Sequence, residues 1–192
     1  MDMNIKLLIT GNPEFGLAKA LFDIYPDADF ISRQTGHDLC KRDTRRAVAD
    51  ESIAYDVFIN NSALHEFNQT LLLEEVYSTA LKFSHNLHII NIGSTTDKVN
   101  SSRVWMYNAE KKALRDVNNT MGLAANWRKD EGPKVTYVSF GTLSNNQYKH
   151  PDRLCIDIDQ AAQYIKWVVD QPKHISINEL SIDRMQSDTW IN

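Results

Sequence analysis

The sequence predicts a doubly wound α/β fold of three layers around a mostly parallel sheet. Three observations carry that expectation. Short apolar runs alternate with stretches of helical periodicity, the first run closes on a glycine-bearing turn, and all but one of the connections are long enough for a right-handed crossover.

Taken in order, Ile5-Lys6-Leu7-Leu8-Ile9-Thr10 reads as the first strand and Gly11-Asn12-Pro13-Glu14-Phe15-Gly16-Leu17-Ala18 as the turn into a helix. Leu17, Leu21 and Ile24 share one face of that helix, which stops at Tyr25-Pro26. Asp29 to Ser32 forms a second strand. Gln34, Thr35 and Gly36 leave no room for a crossover helix before a third strand at His37 to Cys40. A basic helix start, Lys41 to Arg46, leads to a fourth strand at Tyr55 to Ile59, followed by Asn60-Asn61-Ser62-Ala63.

A long helix over 68–83 places Leu72, Leu73, Val76, Ala80 and Phe83 on its inner face. The strand Leu87 to Gly93 ends on Ser94. A helix through Tyr107, Leu114, Val117 and Met121 runs toward Trp127 and breaks at Asp130-Glu131-Gly132-Pro133. Val135 to Phe140 is a sixth strand, Ala161 to Val169 a helix, and Ile175 to Ile182 alternates as a seventh strand. With no linker, repeat or low-complexity segment, residues 1–192 read as one domain.

The chemistry gathers where strands end. Tyr107 and Lys111 are four apart and share a helical face, so an ammonium can lie beside the phenol and favour its ionised form. Ser94 sits at a strand's carboxyl end, where open α/β sheets bind ligands. With seven tyrosines in the chain, one Tyr-x-x-x-Lys arises readily by accident, so the surrounding elements must supply the meaning. The first turn offers Gly11, Asn12, Phe15 and Gly16 to a phosphate at a helix N-terminus, with Ala18 where a third glycine would ease packing. Arg33 lies 22 positions after Gly11, next to Ser32, where a carboxylate would read a ribose 2′-hydroxyl and an arginine accommodates a 2′-phosphate. This favours NADP(H) over NAD(H).

A formal charge of −4 gives no electrostatic reason to expect nucleic acid or an anionic membrane as partner. The apolar stretch near the N-terminus is too short for a signal peptide or a span. Cys40 and Cys155 are far apart, which suggests neither a zinc site nor a disulfide framework, and a cytoplasmic location is expected. His65, Trp105, Phe140, Leu143 and Tyr148 are candidates for a partly aromatic substrate pocket.

From Ile5 to Asp183 the sequence resembles the short-chain dehydrogenase/reductase family. The resemblance rests on four elements in order: Thr10-Gly11 with Gly16-Leu17-Ala18, Asn60-Asn61-Ser62-Ala63 where the family has Asn-Asn-Ala-Gly, Ser94 thirteen residues before Tyr107, and Tyr107-x-Ala109-x-Lys111. It implies a Rossmann fold with strand order 3-2-1-4-5-6-7, an NADP(H)-dependent interconversion of a carbonyl and an alcohol on a small substrate, and Tyr107 as acid/base. It also implies that Lys111 holds the nicotinamide ribose and lowers the Tyr107 pKa, that Ser94 orients the carbonyl, and that Asn68 supports a proton-relay water. Asp38-Leu39 resembles the adenine-contacting pair, and Phe140-Gly141-Thr142 the segment beside the nicotinamide, with Phe140 in place of a proline. Asn60, Asn61 and Ser62 complete the cofactor set. Relatives pair their two long helices, which implies a homodimer or homotetramer. The alternative is a catalytically silent dinucleotide-binding sensor on the same fold.

Overall fold

The computed structural model describes residues 5–98, 105–128 and 131–185. Six strands form one sheet: β1 (Leu7–Thr10), β2 (Asp29–Ile31), β3 (Val57–Asn60), β4 (His88–Ser94), β5 (Lys134–Phe140) and β6 (Glu179–Ile182). Their order is β2-β1-β3-β4-β5-β6, and every neighbouring pair is parallel. Five helices connect them: α1 (Gly16–Ile24), α2 (Arg42–Ser52), α3 (Asn68–Lys82), α4 (Trp105–Trp127) and α5 (Ile158–Val169).

β1 and β3 are buried along their whole length, as a parallel strand covered on both faces must be, which is why these strands read as unbroken apolar runs. Alternate residues divide between two cores. Ile9, Ile59, Ile90 and Val138 pack with Leu17 and Leu21 of α1 and Ala161, Ile165 and Val168 of α5. Leu8, Phe58, Ile89 and Tyr137 face the other way, against Val48 of α2, Leu72 and Val76 of α3 and Leu114 of α4.

The expected seven-strand order is corrected to six strands, because His37 to Cys40 is not a strand. Asp38 Oδ1 accepts from the Cys40 amide at 3.3 Å and the Asp38 carbonyl accepts from the Lys41 amide at 2.9 Å, which bends the segment into a turn. Leu39 drops into the core, and the carbonyls of Leu39 and Cys40, which a neighbouring strand would have paired, accept instead from Arg45 Nη1 at 3.2 and 3.1 Å. The crossover from β2 to the next strand is therefore α2 itself. The last strand is shorter than its alternation suggested. Pairing with β5 is first made by the Asn178 carbonyl, which accepts from the Tyr137 amide, while Ile175 closes a turn on Pro172.

Candidate active site

At the carboxyl edge of the sheet, the β1 turn is held by backbone that admits no side chain. Gly11 has φ of 142°, and a Cβ there would lie 2.8 Å from Asn61 Nδ2 and 2.9 Å from Ala18 Cβ. Its amide donates to the Ile31 carbonyl at the end of β2. Thr10 Oγ1 accepts from the amides of Asn61 and Ser62, both at 2.9 Å, and Asn61 Nδ2 donates to the Thr10 carbonyl. The Asn-Asn-Ser loop is thus laced to the glycine turn. Gly16, with φ of 58°, opens α1 beneath Asn145.

A cleft of about 550 Å³ lies over this turn, bordered by Gly11, Asn12, Phe15, Ser32, Arg33 and Ser62, with Leu39, Cys40 and His65 also lining it. Arg33 borders the cleft despite the short segment after Gln34. Its guanidinium donates from Nε to Asp38 Oδ1 at 3.3 Å and from Nη2 to Cys40 Sγ at 3.4 Å. Asp38 therefore serves as the partner of Arg33, and Leu39 is the one of that pair that borders the cleft.

Ser94 and Tyr107 come together: the Ser94 side chain acts on the Tyr107 phenol and favours its ionised form. Ser94 Oγ also accepts from the Thr96 amide at 3.4 Å. Asn108, next to Tyr107, donates from Nδ2 to the Thr96 carbonyl, which ties the start of α4 to the segment after β4. The Lys111 ammonium lies 5.6 Å from the centre of the Tyr107 ring. Buried at 4% exposure, it donates to Gln69 Oε1 at 2.7 Å and to the Ile92 carbonyl at 3.1 Å. Burial lowers its pKa to about 8, with Glu110 and Asp97 acting the other way.

The expected lowering of the Tyr107 pKa by Lys111 is corrected. Burial raises it, the Ser94 side chain opposes the rise, and Glu110 and Asp97 add to it. The ammonium faces the ring and spends donors on Gln69 and Ile92. Asn68 does not approach Lys111 through its side chain either, because its Oδ1 accepts from Arg45 at 2.6 Å and its Nδ2 donates to the His65 carbonyl at 2.7 Å.

Two other expected contacts, Asn60 and Phe140, face inward, and Gly141 and Thr142 are engaged by neighbouring segments. Asn60 is fully buried and donates to the Gln69 carbonyl and to Asn91 Oδ1. Phe140 packs in the core shared with α1 and α5. Gly141 lies under Asp183, whose Oδ1 would be 2.0 Å from a Cβ, and Thr142 gives its carbonyl to the Ile156 amide at 2.8 Å. Of the pocket candidates, His65 borders the cleft, Tyr148 is 75% exposed, and the Trp105 side chain lies outside the described residues.

Sequence reasoning missed two groups. Gln69 bonds Lys111 through Oε1 and the carbonyls of Asn60 and Ile92 through Nε2, at 2.9 and 3.0 Å. Its signal was visible, since positions 69, 72, 73, 76 and 80 form one helical stripe and Gln69 is its polar member. Tyr137 is the other. Its hydroxyl donates to Asp97 Oδ2 at 2.7 Å and lies 3.4 Å from the Lys111 carbonyl, between the end of β4 and α4. Burial pushes the Tyr137 hydroxyl and the Asp97 carboxyl up.

No protein-family model matches the chain. An uncharacterised oxidoreductase of Staphylococcus aureus (strain N315) is 32% identical over 98 residues, 50% of this chain and 41% of that protein, so the match takes in less than half of the relative's length. Among solved structures, the serine dehydrogenase of Escherichia coli superposes with a TM-score of 0.66 at 19% identity, covering 93% of this chain and 97% of that one. A short-chain dehydrogenase of Burkholderia cenocepacia in complex with NADP gives 0.75 at 16% identity, covering 95% and 89%. The chain has the short-chain dehydrogenase/reductase fold, and half its length is related in sequence to proteins named oxidoreductases. Both findings support the resemblance read from the sequence. Among the described residues no helix is long and apolar enough to cross a membrane.

Proposed function

We propose that this protein is an NADP(H)-dependent oxidoreductase that interconverts a carbonyl and an alcohol on a small substrate, with Tyr107 as acid/base. The observation that carries the reading is the Ser94 and Tyr107 pair, with Lys111 against the Tyr107 ring, at the same sheet edge as the Gly11 turn and its cleft. The residues fit a dinucleotide. Gly11 leaves a cradle that any Cβ would fill, and the amides opening α1 suit a pyrophosphate. Gly11, Asn12, Phe15 and Gly16 would hold the phosphates, Ser32 and Arg33 the adenosine ribose, and Leu39, Asn61 and Ser62 the adenosine half of the cleft; the resemblance assigns Gly141 and Thr142 to the nicotinamide half. When bound, the cofactor supplies or accepts hydride.

The rest of the chemistry belongs to the chain. In reduction Tyr107 gives its proton to the carbonyl oxygen while Ser94 hydrogen-bonds the same oxygen and orients it. A Tyr107 pKa above its ordinary value keeps the phenol protonated near neutrality, which suits a proton donor. Lys111 adds positive charge beside the phenolate that results. Oxidation runs the same path in reverse. The silent-sensor alternative draws on the Lys111 donors being engaged by Gln69 and Ile92, and turnover separates the two readings. Screening aldehydes and ketones by the absorbance of the reduced nicotinamide should find a substrate whose turnover requires Tyr107; binding of the cofactor with no turnover on any carbonyl or alcohol would favour the sensor.

The assembly proposed is a homodimer or homotetramer through α3 and α4. Leu71 and Leu81 on α3, Met106, Leu123 and Trp127 on α4, and Phe83 just after α3 are all exposed, Trp127 at 85%. Light scattering at micromolar concentration should give at least a dimer, and a monomer would remove this part of the proposal.

A further inference from the structure

Two borders of the cleft over the Gly11 turn come from segments that are neither helix nor strand, Leu39-Cys40 and His65. One guanidinium nitrogen holds both. Arg45 Nη1 donates to the Leu39 carbonyl at 3.2 Å, to the Cys40 carbonyl at 3.1 Å and to Asn68 Oδ1 at 2.6 Å. Asn68 in turn donates to the His65 carbonyl, from Nδ2 at 2.7 Å and from its amide at 3.1 Å. Arg45 itself is 5% exposed and does not border the cleft. Its Nε lies 3.7 Å from Glu75 Oε1, and Glu75 borders a separate groove with Arg42 and Arg46. A charge is retained at such depth only where it is paired and its donors are used, and here they are used on the backbone of the cleft wall.

We infer, on the dinucleotide reading of this cleft, that Arg45 is a positioning residue for the adenosine half of the cofactor, fixing the Leu39-Cys40 turn and the His65 segment relative to one another without touching the ligand. A further strand at this edge would have set the same backbone through ladder hydrogen bonds; here one side chain does so. The turn it fixes carries two contacts. Leu39 offers adenine an apolar surface, and Cys40 Sγ accepts from Arg33 Nη2 at 3.4 Å, so the turn also helps to place the arginine proposed for the 2′-phosphate. Loosening Arg45 should therefore weaken the adenosine half and leave the nicotinamide half seated.

Arg45→Lys keeps a cation beside Glu75, but its ammonium ends one bond short of the place of Nη1 and lacks the planar fork. Glu75→Gln is the complement, since it removes the ion pair and leaves every bond from Nη1 in place. In equilibrium titration Arg45→Lys should weaken NADPH and ADP-ribose about tenfold each, while the nicotinamide fluorescence of saturating bound NADPH stays as in the parent. Glu75→Gln should hold both affinities within about twofold. In the parent, ADP-ribose should slow hydrogen exchange at the Cys40 and Lys41 amides, a readout that needs no variant to fold. Parental affinities in Arg45→Lys overturn the inference, as do an equal loss in the two variants, an altered fluorescence of the bound nicotinamide, or exchange at Cys40 and Lys41 that ADP-ribose leaves unchanged. A parent that binds neither NADPH nor ADP-ribose overturns the dinucleotide reading and this inference with it, whereas a parent that binds both, with Arg45→Lys unaffected, overturns the inference alone.

Discussion

Tyr107→Phe is expected to lower kcat by about 10²- to 10⁴-fold, the range that one positioned proton donor contributes, while leaving cofactor affinity within about twofold of the parent. The substitution removes one hydroxyl and keeps the ring against which Lys111 packs, so Lys111, Gln69 and Ile92 stay paired. Ser94 keeps the Thr96 amide. The loss should therefore fall on the transition state and not on the fold. Single-turnover rates with saturating cofactor, alongside a cofactor titration, check this; near-parental turnover would remove Tyr107 from its role.

Gly93→Ala is expected to cost about 3–5 kcal/mol of stability. An added Cβ at position 93 would stand 2.1 Å from both Cζ and the hydroxyl oxygen of Tyr137, a fully buried ring that cannot yield locally. Overpacking of this kind costs about 1–3 kcal/mol. Moving the ring also breaks its hydrogen bond to Asp97, a loss of about 1.5–3 kcal/mol where one partner is charged. Asp97 Oδ1 is already buried without a partner among the described residues, so none of them offers the displaced carboxylate a replacement at that oxygen. Because the same hydroxyl lies against the Lys111 carbonyl, the position of Lys111 beside Tyr107 should be disturbed as well. Urea unfolding measures the difference, and a variant within about 0.5 kcal/mol of the parent would show that the ring is not pinned as described.

Most of the sheet was legible because buried parallel strands demand apolar residues at every position, and Leu7 to Ile9, Val57 to Ile59 and Val135 to Val138 obey that demand nearly without interruption. The third strand was misread for a reason beyond local sequence. His37 to Cys40 has one apolar residue that enters the core, Leu39, but its carbonyls are claimed by Arg45 from the following helix. The Asp38 turn that redirects the chain is a two-residue feature with a weak signal. In the site, Ser94, Tyr107 and the Gly11 turn were legible from the order of the surrounding elements and the resemblance they carry, since the Tyr-x-x-x-Lys spacing arises readily by accident. The direction of the Tyr107 pKa was not, since burial depends on what the fold packs around the ring and outweighs a lysine whose donors point elsewhere. The resemblance points to Asn68, yet the helical stripe places Gln69 inward and Asn68 toward Arg45.

The proposed dinucleotide site, ending in a 2′-phosphate pocket at Ser32 and Arg33, is tested by equilibrium titration of NADPH and NADH on the parent and on Arg33→Ala. No carboxylate at Ser32 repels the phosphate, and Arg33 keeps one terminal nitrogen beyond those engaged by Asp38 and Cys40. A charge-assisted bond of about 1.5–3 kcal/mol makes NADPH the tighter ligand by about ten- to a hundredfold, and Arg33→Ala should bring the two affinities to within a few fold of each other. Equal affinities in the parent, or a preference that survives the substitution, would contradict the account.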